Sequence, residues 1–423
     1  MKRLLLSVMS FVLVLGACTA QGELLAGTGK RVITPDPLLP ISGGFGSCPD
    51  ATSKAGDLFA RSLAFYSDDT RIVFVGVDFI GWTSNLSEKV FAQVKGVDTN
   101  NIMIGASHTH SGPDIYGFPD EAGKLYVDLD YIDWMCGEVA ASINEAVKNL
   151  EPASVKIAVG EAEGQIAYNY YAPQLYDPRC SVIQALDAKG ETLCTLVNYA
   201  VHPEVLGSKR GILSPDLCGP LYDRIEAKGG GMALFMNGAQ GGMVTADNRI
   251  LEGQPGRERA DYDECTRIGN LLADEALRII SDAPVQETPE LTIATKMVEF
   301  PVEMEKFLMA AAFSPFKYPI TEDKTIVTRI NIVNLGSAQL LTIPGEALPN
   351  IGYWLKRKMG IDHTFLLGLT NDALGYILTD VDFNSFSRYD YVSATSLGEQ
   401  TGPIYMDAAQ EMIEGAAHPL RKK

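Results

Sequence analysis

Two short apolar runs, residues 71–80 (RIVFVGVDFI) and 101–107 (NIMIGAS), flank a polar stretch, 85–96, of helical character. Each run has the length of a buried strand and falls short of a buried helix. Strand, helix and strand in this order predict adjacent parallel strands joined by a right-handed crossover. That unit commits the chain to a fold in which sheet and helix are layered together.

The rest of the pattern extends this reading. Apolar residues at 132, 135, 136, 139, 143, 147 and 150 recur at helical spacing, and Pro152 stops the run. Strands are expected at 154–159, 180–187, 192–200 and Met232–Met236, the second and third forming a hairpin through Ala188-Lys189-Gly190. Residues 261–280 repeat the helical spacing. Strands near 291–301, 326–335 and 338–343 follow, then a helix opened by Pro344-Gly345-Glu346 and running to about Met359, then a strand at 364–369. Hairpins mixed with βαβ units predict an α/β fold of mixed β-sheets flanked by helices, in one large domain over residues 29–423. Periodicity lapses at 250–260 and 303–324.

Met1-Lys2-Arg3 precedes an apolar run, Leu4 to Ala17, of 14 residues. A bilayer crossing needs ~20, whereas the core of a secretory signal is this short. Leu15-Gly16-Ala17-Cys18 reads as a bacterial lipoprotein signal over residues 1–17, with Cys18 as the lipidated N-terminus and 18–28 as a tether. The protein is therefore expected to be exported to the cell envelope and to meet the membrane only through that lipid. With 53 Asp+Glu against 35 Lys+Arg the formal charge is −18, the wrong sign for a nucleic-acid partner. Six cysteines besides Cys18, with no CxxC pair, are sparse for a disulfide scaffold, and Cys136 and Cys265, on apolar helical faces, read as buried thiols. A hairpin turn centred on Lys189 sets Cys180 opposite Asn198, which keeps it from pairing with Cys194.

Candidate chemistry concentrates in histidine. Of five histidines, three fall in two short segments at strand ends, Ser107-His108-Thr109-His110-Ser111-Gly112-Pro113 and Tyr199-Ala200-Val201-His202-Pro203. Ligands of open α/β sheets bind beyond the carboxyl ends of strands. On extended chain, His108 and His110 project to one side, because side chains alternate with period two. Converging neutral imidazoles are zinc ligands, although two hydrogen-bonded core histidines would leave the same spacing. A catalytic zinc site also needs an oxygen ligand and an open position. Glu346 and the Thr370–Tyr376 loop both leave apolar strands, and the residues alone do not choose between them. His363 and His418 read as surface residues.

His-Thr-His-Ser-Gly-Pro, Val-His-Pro about ninety residues on, Ile-Pro-Gly-Glu and Thr-Asn-x-x-x-Gly-Tyr together resemble the neutral ceramidases. These are zinc amidases that release fatty acid from the sphingoid base of ceramide. Gly29–Pro35, Ala60–Phe65, Val77-Asp78, Leu213–Asp216 and Thr266–Gly269 add fragments in the same order, so the resemblance spans about residues 25–395. It implies metal ligands at His108, His202, Glu346 and Tyr376, with His110 lining the reaction centre and Tyr389 as an active-site tyrosine. Asp78 and Asp216 are then candidate acceptors for the ligand imidazole N–H groups. The substrate-pocket positions fall on Asn237, Gly242 and Tyr170. Two of them depart from the family: Gly242 stands where it has a serine and Tyr170 where it has an arginine. No stretch corresponds to the immunoglobulin-like C-terminal domain of longer relatives, which implies a catalytic domain alone.

The resemblance implies a Zn²⁺-dependent hydrolase that cleaves the amide bond of an N-acyl lipid. The departures keep two further readings open: a zinc hydrolase of another amide or ester, derived from sugar or peptide, and a surface lipoprotein that binds without turnover. Imidazole with carboxylate suits iron or nickel as well as zinc.

Overall fold

The computed structural model describes residues 22–250 and 258–422. A nine-stranded mixed sheet forms the spine. From edge to edge its strands are Met232–Asn237, Thr192–Tyr199, Arg179–Asp187, Glu151–Glu161, Leu25–Val32, Phe59–Ser67, Thr70–Val77 and Ile102–Ala106, with Val285–Gln286 paired to Glu151–Glu161. The pair at each edge is parallel and the pairings between are antiparallel. Thr70–Val77 and Ile102–Ala106 form the expected parallel unit, with helix Ser84–Phe91 in the crossover.

The sheet curls until its two edges approach. Small residues permit this: a Cβ on Gly76 would stand 2.8 Å from the Phe235 carbonyl oxygen, and one on Gly105 2.9 Å from the end of Met236. A second sheet, Leu291–Pro301, Thr325–Leu335, Ala338–Thr342 and His363–Leu367, packs against the first. Asn198 pins the two together, its Nδ2 donating to the carbonyls of Met236, Asn237 and Leu366. Phe65, Phe74, Met103, Leu196, Leu234, Val333 and Phe365 are fully buried in the shared core, each contributing about 1.5–3 kcal/mol of apolar burial. Helix Leu129–Lys148 covers Leu25–Val32 and Phe59–Ser67, while Cys218–Ala227 and Tyr262–Ile280 pack together over the other half. Asp128 and Asp261 cap two of these helices by accepting from Tyr131 N and Glu264 N.

Several expectations are corrected. The signal over residues 1–17 and Cys18 lie outside the described residues, but the tether expected at 18–28 runs into sheet: Leu25–Val32 is a strand and Leu24 is fully buried. A bulge between Ala185 and Leu186 shifts the hairpin by one, so Ser181, not Cys180, faces Asn198. Residues 303–324 contain helix Glu305–Phe313. The helix expected from Pro344 begins instead at Pro349, where a proline occupies the first helical position without losing a hydrogen bond. His418 is buried, with Nε2 against the Gly336 carbonyl, and His363 is half-buried beside Ser337 Oγ. Cys136 and Cys265 are buried free thiols, as expected, and so are Cys48, Cys180, Cys194 and Cys218. Among the described residues no helix is long and apolar enough to cross a membrane.

Candidate metal centre

Four backbone segments bring the site together. Beyond Ala106 the chain turns back under the sheet, with Ser107 N donating to Val77 O and His108 N to Phe79 O. His108 sits at φ +74, a left-handed conformation that costs a non-glycine residue free energy and gathers at functional sites. The two histidines of the motif therefore converge through a strained turn, not through the strand alternation expected from their spacing. His202 follows Thr192–Tyr199, and its backbone N donates to Val244 O. Glu346 and Tyr376 lie opposite each other on two-residue parallel strands, Glu346–Ala347 and Tyr376–Ile377.

The donor atoms meet at one point. Glu346 Oε2 lies 3.4 Å from His108 Nε2 and 3.1 Å from His202 Nε2. His110 Nε2 is 3.2 Å from His108 Nε2, and the Tyr376 hydroxyl is 3.5 Å from His202 Nε2. Ligand atoms around a tetrahedral ion with bonds of about 2.0–2.1 Å stand roughly 3.3–3.4 Å apart. His108 Nδ1 is bonded to the Ile80 carbonyl, and His202 Nδ1 to that of Val244 at 2.8 Å. In the neutral rings each Nδ1 then carries the proton and each Nε2 a lone pair. Glu346 Oε2 is buried without a hydrogen-bond partner. Acceptor atoms converging this closely in a buried place, one of them without a hydrogen-bond partner, fit a metal ion between them. The nitrogens of His108, His110 and His202, all within 4.8 Å of one another, are close enough together to hold a metal ion by themselves.

The electrostatics follow from burial and neighbours. Burial alone would raise Glu346, but the imidazoles of His108 and His202 hold its carboxyl well below the usual range. Burial, then the adjacent His108, pushes His110 down to about 4, which keeps its ring neutral. Glu204, two residues beyond His202, places Oε2 3.8 Å from His110 Nδ1.

A cavity of about 190 Å³ opens beside this cluster, lined by His108, His110, Glu346, Tyr376 and Tyr391 at one part and by aromatic rings at another. Tyr391, on the short helix Asp390–Ala394, sets its ring 6.0 Å from that of Tyr376. Tyr389 does not line the cavity: it packs on Tyr171 and Phe386. The tyrosine that faces the metal group is thus Tyr391, displaced by the irregular turn before it.

The remaining site expectations are also corrected. Asp78 accepts from Phe59 N and the Tyr222 hydroxyl, and Asp216 from Leu206 N and Leu217 N. Neither meets an imidazole, because backbone carbonyls already take those N–H groups. Asn237 does not line the cavity either; its Nδ2 donates to Ser107 O and Val201 O, each preceding a candidate ligand histidine. Gly242 sits at φ +66, with Leu348 3.2 Å from where a Cβ would stand, so a serine there would be strained. Tyr170 is 61% exposed and outside the cavity. Glu204 and Tyr391 were missed, though a carboxylate two residues from a strand-end histidine was a usable signal for the first.

No protein-family model matches the chain. In sequence it is similar to the neutral ceramidase of Pseudomonas aeruginosa, at 25% identity over 262 residues, covering 54% of this chain and 37% of that relative. The chain thus matches under half of that protein's length. Two solved structures share the fold: a neutral ceramidase from Pseudomonas aeruginosa (TM-score 0.75, 19% identity, 95% of this chain and 76% of that one) and a ceramidase complexed with C2 (TM-score 0.74, 19% identity, 95% and 77%). The resemblance carried by the histidine motifs is therefore present in sequence over part of the chain and in fold over most of it.

Proposed function

We propose that this chain, a relative of the neutral ceramidases with their fold, is a zinc-dependent hydrolase that cleaves the amide bond of N-acyl lipid substrates. The observation that carries the reading is the buried meeting of His108 Nε2, His202 Nε2 and Glu346 Oε2, lone pairs inward, with the Tyr376 hydroxyl beside them. His108, His202, Glu346 and Tyr376 would hold the ion. When bound, Zn²⁺ supplies Lewis acidity, which acidifies a water toward a pKa of ~7 and polarises a carbonyl.

The protein's own groups do the rest. His110, neutral and at the edge of the cluster, is placed to move a proton between water and the departing amine. Glu204 faces its Nδ1 and orients the ring. Tyr391, raised to about 12 chiefly by burial, keeps its phenolic proton at neutral pH and can donate to the carbonyl oxygen as charge develops there. The apolar part of the cavity would take the acyl group and exclude water. Purified protein is expected to hold about one zinc per chain, and His108→Ala to lose metal and amide hydrolysis together. Activity that survives that substitution refutes the mechanism.

One observation favours a second reading, hydrolysis of another amide or ester: the backbone at Gly242 disfavours the serine that the ceramidases carry there. A panel of ceramide, simple amides and esters separates the two. Under the leading reading we also place the protein in the bacterial cell envelope through lipidation of Cys18; radiolabelled palmitate incorporation, abolished in Cys18→Ala, is the test.

A further inference from the structure

Helix Glu305–Phe313 departs from the pattern of a surface helix. Such a helix turns an apolar stripe to the core and polar residues outward, yet residues 307–313 (FLMAAAF) include no polar side chain. Phe307, Ala310 and Ala311 fill the inward face. Met309 and Phe313, one helical turn apart and so on one face, are 64% and 70% exposed, and Ala312 is exposed with them. An exposed apolar run of this kind marks an interaction site.

The face is held in place and stands at the metal group's cavity. Beyond the helix Phe316 is buried, the Tyr318 hydroxyl donates to Tyr116 O at 2.9 Å, and Ser314 Oγ donates to the same carbonyl at 3.3 Å. Met304, Lys306 and Phe307 line the cavity that also holds His108, His110 and Glu346, and Lys306 is itself exposed. Glu303 N and Met304 N both donate to the carbonyl of Leu397, another lining residue.

Charge selects what covers this face. The chain carries −18 overall, so a second copy would approach with like charge. Locally the sign reverses: residues 306–321 contain Lys306 and Lys317, both exposed, and no Asp or Glu. Glu303 and Glu305 stand before them, at the start of the helix. Lysines that flank exposed Met and Phe suit the boundary of a bilayer, where ammonium groups meet lipid phosphates while the apolar side chains enter the acyl region.

Resting on the proposed hydrolysis of N-acyl lipids, we infer that helix Glu305–Phe313 docks on a phospholipid surface through Met309 and Phe313, and that a lipid passes from there into the adjoining cavity. The test uses the zinc-loaded chain from Thr19 to Lys423, which holds every described residue and carries no lipid of its own. It should sediment with phosphatidylcholine vesicles. Met309→Ser combined with Phe313→Ser should lower the partition coefficient by at least about tenfold, because both side chains lose their transfer out of water. Both positions are exposed, so circular dichroism and zinc content should match the parent. On an N-acyl lipid carried in the vesicles, kcat/KM of the variant should fall by at least about tenfold; on a water-soluble N-hexanoyl amide it should stay within about twofold. Equal partitioning of variant and parent, or no partitioning of the parent, overturns this inference and leaves the proposed reaction standing. Unchanged turnover of the vesicle-borne lipid despite weaker partitioning overturns it as well. A parent dimer that ignores vesicles and is dissociated by the two substitutions overturns it in favour of a second copy. No turnover of either substrate at full zinc occupancy, with partitioning still lost in the variant, overturns the proposed reaction and supports the docking face.

Discussion

Glu346 and Tyr376 are register partners on adjacent parallel strands, with Glu346 N donating to Gly375 O at 2.9 Å. A carboxylate and a phenol drawn from separate loops are thus held at one spacing by backbone pairing. Gly375 makes the approach possible: it sits at φ +76, and a Cβ there would stand 2.1 Å from the Thr395 carbonyl oxygen. Gly375→Ala is therefore expected to weaken zinc affinity by about 10–100-fold, the range seen when the support of a metal ligand is lost. Competition with a chelator of known affinity measures it.

Asn237 provides the matching support for the histidines. It donates to Ser107 O and Val201 O, accepts from Val201 N, and is fully buried. Asn237→Ala leaves buried backbone groups unpaired and is expected to cost about 2–4 kcal/mol in urea unfolding. Asn237→Asp should cost more, since a carboxylate cannot donate to either carbonyl. A variant with unchanged stability would mean that the sheet edges meet without this bridge.

The positions of His108 and His202 were legible because each lies at the end of an apolar run, and run ends survive in a linear pattern; Glu346 and Tyr376 were singled out only by the resemblance to the neutral ceramidases. Their supports were not. The Asn237 bridge exists only because the nine-stranded sheet curls edge to edge, and no local spacing encodes curl. His108 was expected on extended chain, but its left-handed turn depends on hydrogen bonds to Phe79 and Ile80, nearly thirty residues away in sequence. Asp78 and Asp216 were plausible partners for imidazoles by position, yet backbone carbonyls reached those nitrogens first. The main strands and most helices were readable from periodicity, and their exact ends were set by turns and caps that composition signals weakly.

Metal removal should be visible in stability as well as in turnover. Without a cation, the buried Nε2 and Oε2 lone pairs of His108, His202 and Glu346 oppose one another. Under the proposed reading zinc would bind the folded arrangement and not the unfolded chain, so it should add about 2.7 kcal/mol at a free concentration one hundred times Kd. Thermal unfolding with and without a chelator checks this; an unchanged Tm would argue against a resident ion.

Acid titration offers a separate check on the packing. Burial pushes Asp216 up to about 6, against roughly 3.9 in unfolded chain. Between about pH 4 and 6 the folded state therefore binds the extra proton, and this group's stabilisation is lost as pH rises through that window. Asp216→Asn tolerates the φ of +54 and removes the titration. Its stability relative to the parent should improve by up to about 3 kcal/mol between pH 4 and 7. A pH-independent difference in urea midpoints would place the proton elsewhere.

Tyr391 and Tyr389 are two residues apart and make opposite predictions. The Tyr391 ring lines the cavity and is edge-on to Tyr376, while Tyr389 rests between Tyr171 and Phe386. If the phenol donates to charge that develops at the carbonyl oxygen, Tyr391→Phe should lower kcat by about 10²-fold with KM and zinc content little changed. Tyr389→Phe keeps every ring contact and loses a hydroxyl on a side chain that does not line the cavity, so kcat should stay within about twofold of the parent. A loss confined to Tyr389→Phe would mean that the turn before Asp390 rearranges on substrate binding. Equal losses in both would point to a shared effect on the loop, and the pH profile of kcat would separate that from a lost donor.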